Sequence, residues 1–362
     1  MNCLPIDPQT PCNLATLRER RSRARQKWRS VFAVGLTAGL VGCATASNPP
    51  ETVTSGKPTV VASYSVLCDL TETIAAETID LACLIDRDRD PHTYSATPSD
   101  RERLEKAQLI LYGGYEFDTA VESLVDATQN SAPKVAVNEE AVPQPLMGHH
   151  HHGEREKHEG ETEDAHSHEE EEQSEAEAEE PDPHVWHDVQ NAIAMTKVIR
   201  DRLSAINPSQ AKLYAENADR LIRDLEELDR WIQAQISTIP AGQRTLITTH
   251  DALGYYANAY DLDALESLQG LSSDESPTPS RVKELVEIVR QTGVPTLFVE
   301  LTANNTTLET VAREAGVKVS DRTLRTDGLG DRGSETGTYI GMMKSNTCAI
   351  VEGLGGTCTS NQ

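Results

Sequence analysis

Residues 209–237 carry one unbroken helical repeat, and that stretch constrains the fold more than any other part of the chain. Leu213, Leu221, Leu225, Leu228 and Ile232 fall on one apolar stripe, with Arg, Asp and Glu between them. At about 1.5 Å per residue, such a helix spans a lobe from side to side. On both sides of it, short apolar or β-branched runs alternate with helical ones. Residues 59–62, 79–85, 109–112 and 135–137 read as strands. Residues 66–76 and 189–205 read as helices, and Pro98-Ser99-Asp100 opens another, with Ser99 as its expected N-cap. Beyond the long repeat, 245–248 and 296–300 read as strands and 308–315 and 339–354 as helices, stopped at Gly316 and Gly355-Gly356. Such alternation implies βαβ units and a mostly parallel sheet flanked by helices, so the expected class is α/β, with a rough division into two lobes.

The N-terminus reads as a targeting segment. A basic run, 18–29, precedes an apolar run, 31–41, that is too short for a mature membrane helix. Leu40-Val41-Gly42-Cys43 then matches a lipobox, so residues 1–42 are expected to leave as a signal peptide. Cys43 would take the lipid, and 43–57, rich in Thr, Ser and Pro, would be a flexible tether. The expected location is therefore periplasmic or otherwise extracytoplasmic, anchored to a membrane by lipid. Cys3 and Cys12 would be lost with the signal, leaving Cys68, Cys83, Cys348 and Cys358. Four cysteines outside the cytosol suggest two disulfides with three connectivities, of which pairing of neighbours, Cys68 with Cys83 and Cys348 with Cys358, is the expectation.

The formal charge of -25 argues against nucleic acid as a partner. About half of it lies in one insert: residues 149–182 hold 15 acidic residues against one Arg and one Lys, a net of -13. The same insert holds His149, His150, His151, His152, His158, His166 and His168. Without apolar periodicity, 148–180 is expected to be a disordered surface loop, metal-binding by composition.

Only four of the 11 histidines lie outside that insert, and three of them sit in polar turns beside apolar segments. His92 lies in Asp90-Pro91-His92-Thr93-Tyr94, His184 in Asp182-Pro183-His184-Val185-Trp186, and His250 in Thr248-Thr249-His250-Asp251-Ala252. Proline fixes φ, so each Asp-Pro-His turn holds its imidazole at a set angle. The aspartate can accept from a backbone or ring N–H. His250 ends a strand, where α/β sheets carry their ligand sites. Asp90, Asp182, Asp251 and Glu300 are candidates for supporting contacts behind the ligands, with Glu300 or Asp327 as the fourth ligand. His187 is read as a supporting or surface residue. Three imidazoles and a carboxylate suit Zn²⁺ better than Mn²⁺, which prefers oxygen.

These motifs, with Thr97-Pro98-Ser99-Asp100, Phe298-Val299-Glu300 and Tyr339-Ile340-Gly341-Met342-Met343-Lys344-Ser345-Asn346, resemble the zinc/manganese receptors of bacterial ABC importers, the ZnuA/TroA-type cluster A-I substrate-binding proteins. Within that group the chain looks most like zinc-specific members with a histidine-rich loop. The resemblance covers about residues 57–354 and implies lobes at 58–207 and 239–362 joined by a rigid linker helix at 208–238, with metal between them. It implies His92, His184, His250 and Asp327 as ligands. It also implies a monomeric binding protein, not an enzyme, that delivers Zn²⁺, or less readily Mn²⁺, to a membrane permease. Two readings from other classes compete. A zinc hydrolase shares the three-histidine pattern, but the chain has no His-Glu-x-x-His helix and no evident general base. A metal buffer would store several ions, mostly in the loop.

Overall fold

The computed structural model describes residues 56–149, 179–262 and 264–359. The signal peptide, Cys43, almost all of the tether and histidines 150, 151, 152, 158, 166 and 168 lie outside the described residues. Among the described residues no helix is long and apolar enough to cross a membrane.

The N-terminal half is built from β1 (Thr59–Ala62), α1 (Ser65–Ala75), β2 (Asp80–Cys83), α2 (Pro98–Lys106), β3 (Leu109–Tyr112), α3 (Thr119–Ala127), β4 (Lys134–Ala136) and α4 (Val137–Ala141). Its sheet runs β2-β1-β3-β4 and every pair is parallel, with Val61 opposite Ala82 on one side and Ile110 on the other. Val60, Val61, Leu109, Ile110 and Leu111 are fully buried, as a strand covered on both faces requires. The antiparallel ribbon β5 (Met147–His149) and β6 (Glu179–Pro181) follows. The expected loop therefore has ordered ends: the described part of 148–180 is strand, because its backbone pairs Gly148 with Glu180. Gly148 packs so closely on Leu271 that a Cβ there would lie 2.4 Å from the leucine Cδ2.

Two long helices come next, α5 (Val189–Ile206) and α6 (Ala211–Ile236), separated by a 3-10 turn at Pro208–Gln210. Helix α6 buries Ala218, Leu221, Leu225, Leu228 and Ile232 along the expected stripe. The stripe begins at buried Tyr214, with Leu213 only half-buried. It packs on α1 and α5, and also on α10 (Tyr339–Gly353) at the other end of the chain. Between them lie β7 (Thr245–Thr248), α7 (Gly254–Ala259), β8 (Ala264–Ser267), α8 (Pro279–Thr292), β9 (Thr296–Leu297), α9 (Thr306–Ala315) and β10 (Lys318–Val319). Here β7 pairs with β8 and β9 with β10, both parallel. The Phe298 amide donates to the Ile247 carbonyl at 2.9 Å and joins the two pairs.

One local expectation is corrected. Helix α2 is capped by Thr97, not Ser99: the Thr97 hydroxyl accepts from the Asp100 amide and the Asp100 carboxylate accepts from the Thr97 amide, with Pro98 at the first helical position. Such reciprocal satisfaction of two free donors outweighs what Ser99 offers one residue further in. The five-residue helix α4 gives no sequence signal, because it is too short to show a period. Cys68 is bonded to Cys83, tying α1 to the end of β2, and Cys348 to Cys358, tying α10 to the segment after it.

Candidate metal centre

Each histidine is aimed from behind by a carboxylate or a turn. Asp90 Oδ1 accepts from the His92 amide at 2.9 Å, which closes the first Asp-Pro-His turn. In the second turn Asp182 Oδ1 accepts from both the His184 amide, at 2.9 Å, and its ring Nδ1, at 2.8 Å. Just past β7, Glu300 Oε1 accepts from the amides of Thr249 and His250, at 2.9 and 3.0 Å, while Oε2 bonds to His250 Nδ1. With Nδ1 of His184 and His250 committed, each ring presents Nε2 forward.

The three Nε2 atoms and Asp327 Oδ1 meet at one point. His184 and His250 Nε2 each lie 3.4 Å from Oδ1, His92 Nε2 lies 3.9 Å from it, and the Nε2 atoms of His92 and His184 are 3.2 Å apart. All four donor atoms fall within 4.8 Å of one another. An ion held tetrahedrally at about 2.0–2.1 Å requires donor separations of about 3.3–3.4 Å. His250 Nε2 and Asp327 Oδ1 are buried without a hydrogen-bond partner. Orphaned polar atoms of this kind are costly unless a ligand satisfies them. Glu300 is not in the cluster; its carboxylate is spent on His250. Glu300 holds the ring of His250, and the Asp251 amide donates to the Gly270 carbonyl at 2.9 Å.

Asp327 is held from several elements at once. Its Oδ2 accepts from Thr302 Oγ1 at 2.8 Å and lies 3.2 Å from Thr326 Oγ1. The Thr326 carbonyl accepts from Trp186 Nε1 at 3.2 Å and is 2.9 Å from His187 Nε2. The Leu329 amide donates to Ser65 Oγ at 2.9 Å. His187 is fully buried rather than at the surface. Sequence reasoning missed Thr302, Thr326 and Ser65, and also Phe117, whose ring stands edge-on to His92 at 5.0 Å and His184 at 5.6 Å. None of these belongs to a motif that announces itself.

Burial and charge set the protonation states. Burial, reinforced by the neighbouring His184 and His250, drives His92 down to about 3 despite the pull of Asp327. Burial also opposes charge on His184, but Asp182 and Asp327 outweigh it and hold the ring up at about 9. Glu300 and Asp327 raise His250 in the same way against its burial. Asp327 is held well below the ordinary carboxylate range because the three imidazoles outweigh its burial. A cavity of about 220 Å³, lined by Tyr115, Glu116, Glu180 and Asp274, reaches His92.

A buried cage of three imidazoles and one carboxylate, set among the loops of parallel α/β sheets, defines a metal-binding receptor. The family described as "Zinc-uptake complex component A periplasmic" matches residues 60–353, and the chain belongs to that family. It is 31% identical to the manganese-binding lipoprotein MntA of Halalkalibacterium halodurans over 296 residues, 82% of this chain and 88% of the relative. It is 30% identical to the manganese ABC transporter substrate-binding lipoprotein PsaA of Streptococcus pneumoniae over 321 residues, 87% of this chain and 94% of the relative. Among solved structures it is similar to the periplasmic zinc binding protein TroA from Treponema pallidum, with a TM-score of 0.71, 29% identity, and coverage of 83% of this chain and 99% of that one. The family is one of extracytoplasmic substrate-binding proteins of ABC importers, not of enzymes.

Proposed function

We propose that this protein is a zinc receptor: it takes up Zn²⁺ through His92, His184, His250 and Asp327 and presents it to the permease of an ABC importer. The observation that carries this reading is the donor set, three imidazole nitrogens to one carboxylate oxygen, all within 4.8 Å of one another. Nitrogen-rich, four-coordinate sites suit zinc, whereas manganese favours oxygen-rich, six-coordinate ones. Ligand exchange strips water from the ion as the cage forms, and release requires the permease to pull the segment bearing Asp327 away from the histidines. The two lobes, 58–207 and 239–362, would move about the 208–238 linker. His149, His150, His151, His152, His158, His166 and His168 would collect zinc weakly, and lipid on Cys43 would keep the monomeric receptor at the membrane beside its permease. The names of MntA and PsaA support the lipoprotein part of this reading.

Manganese is the second reading, and the curated relatives favour it: MntA and PsaA both carry manganese in their names, against zinc for TroA. A chelator-competition titration of the mature protein with Zn²⁺ and Mn²⁺ decides between them. The expected result is one tight zinc site that outcompetes manganese and is weakened in His250→Ala by more than the about 100-fold that losing an outer partner costs. Manganese binding as tight as zinc would make this a manganese receptor. Several sites of equal strength would make it a buffer.

A further inference from the structure

From the contacts around Asp327 we infer that Thr302 sets metal selectivity, by holding this carboxylate to a single donor oxygen. The inference rests on the four-ligand reading of the site and adds to it a residue outside the cage. Asp327 Oδ1 faces the three imidazoles and has no hydrogen-bond partner, while Oδ2 points away into two threonine hydroxyls. Those two hydroxyls are not equivalent. Thr326 Oγ1 lies 3.2 Å from Asp327 Oδ2 and 3.2 Å from Glu300 Oε2, and its one proton serves one carboxylate at a time. Thr302 Oγ1 is 2.8 Å from Oδ2 and is the committed donor. Thr302 also follows two residues after Glu300, which aims His250. One short segment leaving β9 therefore orients both the third and the fourth donor groups.

The backbone next to Asp327 is fixed as well, since Trp186 and His187 both reach the Thr326 carbonyl. What is left free to turn is the carboxylate about its own Cβ–Cγ bond, and the hydroxyl of Thr302 decides whether its second oxygen can swing towards the ion. With Oδ2 occupied, the cage offers one oxygen and three nitrogens, the set for a four-coordinate ion. With Oδ2 released, the carboxylate can bind through both oxygens, raising the coordination number and the oxygen content, as manganese prefers. Thr302 is thus a positioning residue that never touches the ion.

The experiment measures Zn²⁺ and Mn²⁺ affinities by chelator competition in the full mature protein, in Thr302→Val and in Thr302→Ser. Circular dichroism of each variant checks folding. In Thr302→Val zinc affinity should fall about 10-fold or more, within the range for losing an outer partner, while manganese affinity holds or rises. The zinc-to-manganese ratio should contract accordingly, and Thr302→Ser should restore it. Zinc X-ray absorption should report three nitrogens and one oxygen in the parent and an added oxygen in Thr302→Val. Equal weakening of both metals, or an unchanged ratio, would overturn the inference and leave Thr302 a merely structural residue. The parent protein's own ratio tests the zinc reading separately: a manganese-preferring parent defeats that reading, while the shift on Thr302→Val still reports on the threonine.

Discussion

His184 and His250 are held above the ordinary imidazole value by neighbouring carboxylates, and from this a pH dependence of metal uptake follows. With His184 at about 9 and His250 also raised, both should carry a proton at pH 7, while His92, at about 3, should not. A metal ion needs all three neutral, so binding at pH 7 should release about two protons per ion. Apparent affinity should then climb as pH rises from 6 towards 9, by up to about 100-fold per unit where both protons are still bound. Calorimetry in two buffers of different ionisation enthalpy measures the release; finding no proton released at pH 7 would defeat the prediction. The same shifts act on the metal-free fold. A ring whose folded value exceeds its unfolded value of about 6.5 stabilises below that pH and loses its contribution as pH rises through the folded value. Glu122, raised to about 8 by burial and by Asp118, acts in the same direction. The metal-free protein should therefore melt at lower temperature at pH 9 than at pH 6.5. The three histidines were legible in the sequence because rigid turns and a strand end surround them. Asp327 shared its candidacy with Glu300, and only the resemblance chose between them. Thr302 was not legible at all, because its partner lies 25 residues away and only folding brings the two together.

Among the elements, α6 is the one whose sequence most plainly states its role. Its apolar stripe is buried against α1 and α5 from one half and α10 from the other, so cavities in it should be felt across the protein. Leu225→Ala should cost about 2–5 kcal/mol, read from urea unfolding, since Leu225 is fully buried. Thr97→Ala removes the cap of α2 and should cost about 1 kcal/mol while leaving metal affinity unchanged, because the cap lies outside the site. A loss of metal affinity in that variant would mean that α2 bears on the His92 turn. Ribbon β5–β6 shows the opposite case. Its residues, glutamates and a glycine beside a polar tract, carry no strand signal, and backbone pairing together with the packing of Gly148 on Leu271 makes them a strand.

For the molecule as a whole, the site ties distant parts of the chain together, and bound metal should lock them. A ligand at about 1,000 times its dissociation constant adds about 4 kcal/mol to the stability of a protein that binds it only when folded. Zinc should accordingly raise the melting temperature of the parent protein, and His250→Ala should abolish most of that rise; calorimetric scans with and without the ion make the comparison. The sequence by itself determined the α/β class, the long helix and the turns that carry the three histidines, because periodicity, turn residues and imidazole are local properties. The tertiary structure alone decided that the four donor atoms share one point. It also decided that Glu300 bonds to His250, that His187 is buried against the Thr326 carbonyl, and that Asp327 turns Oδ1 towards the imidazoles. Those outcomes depend on distances between residues far apart in the chain, which only the packed sheets and the helix between them set.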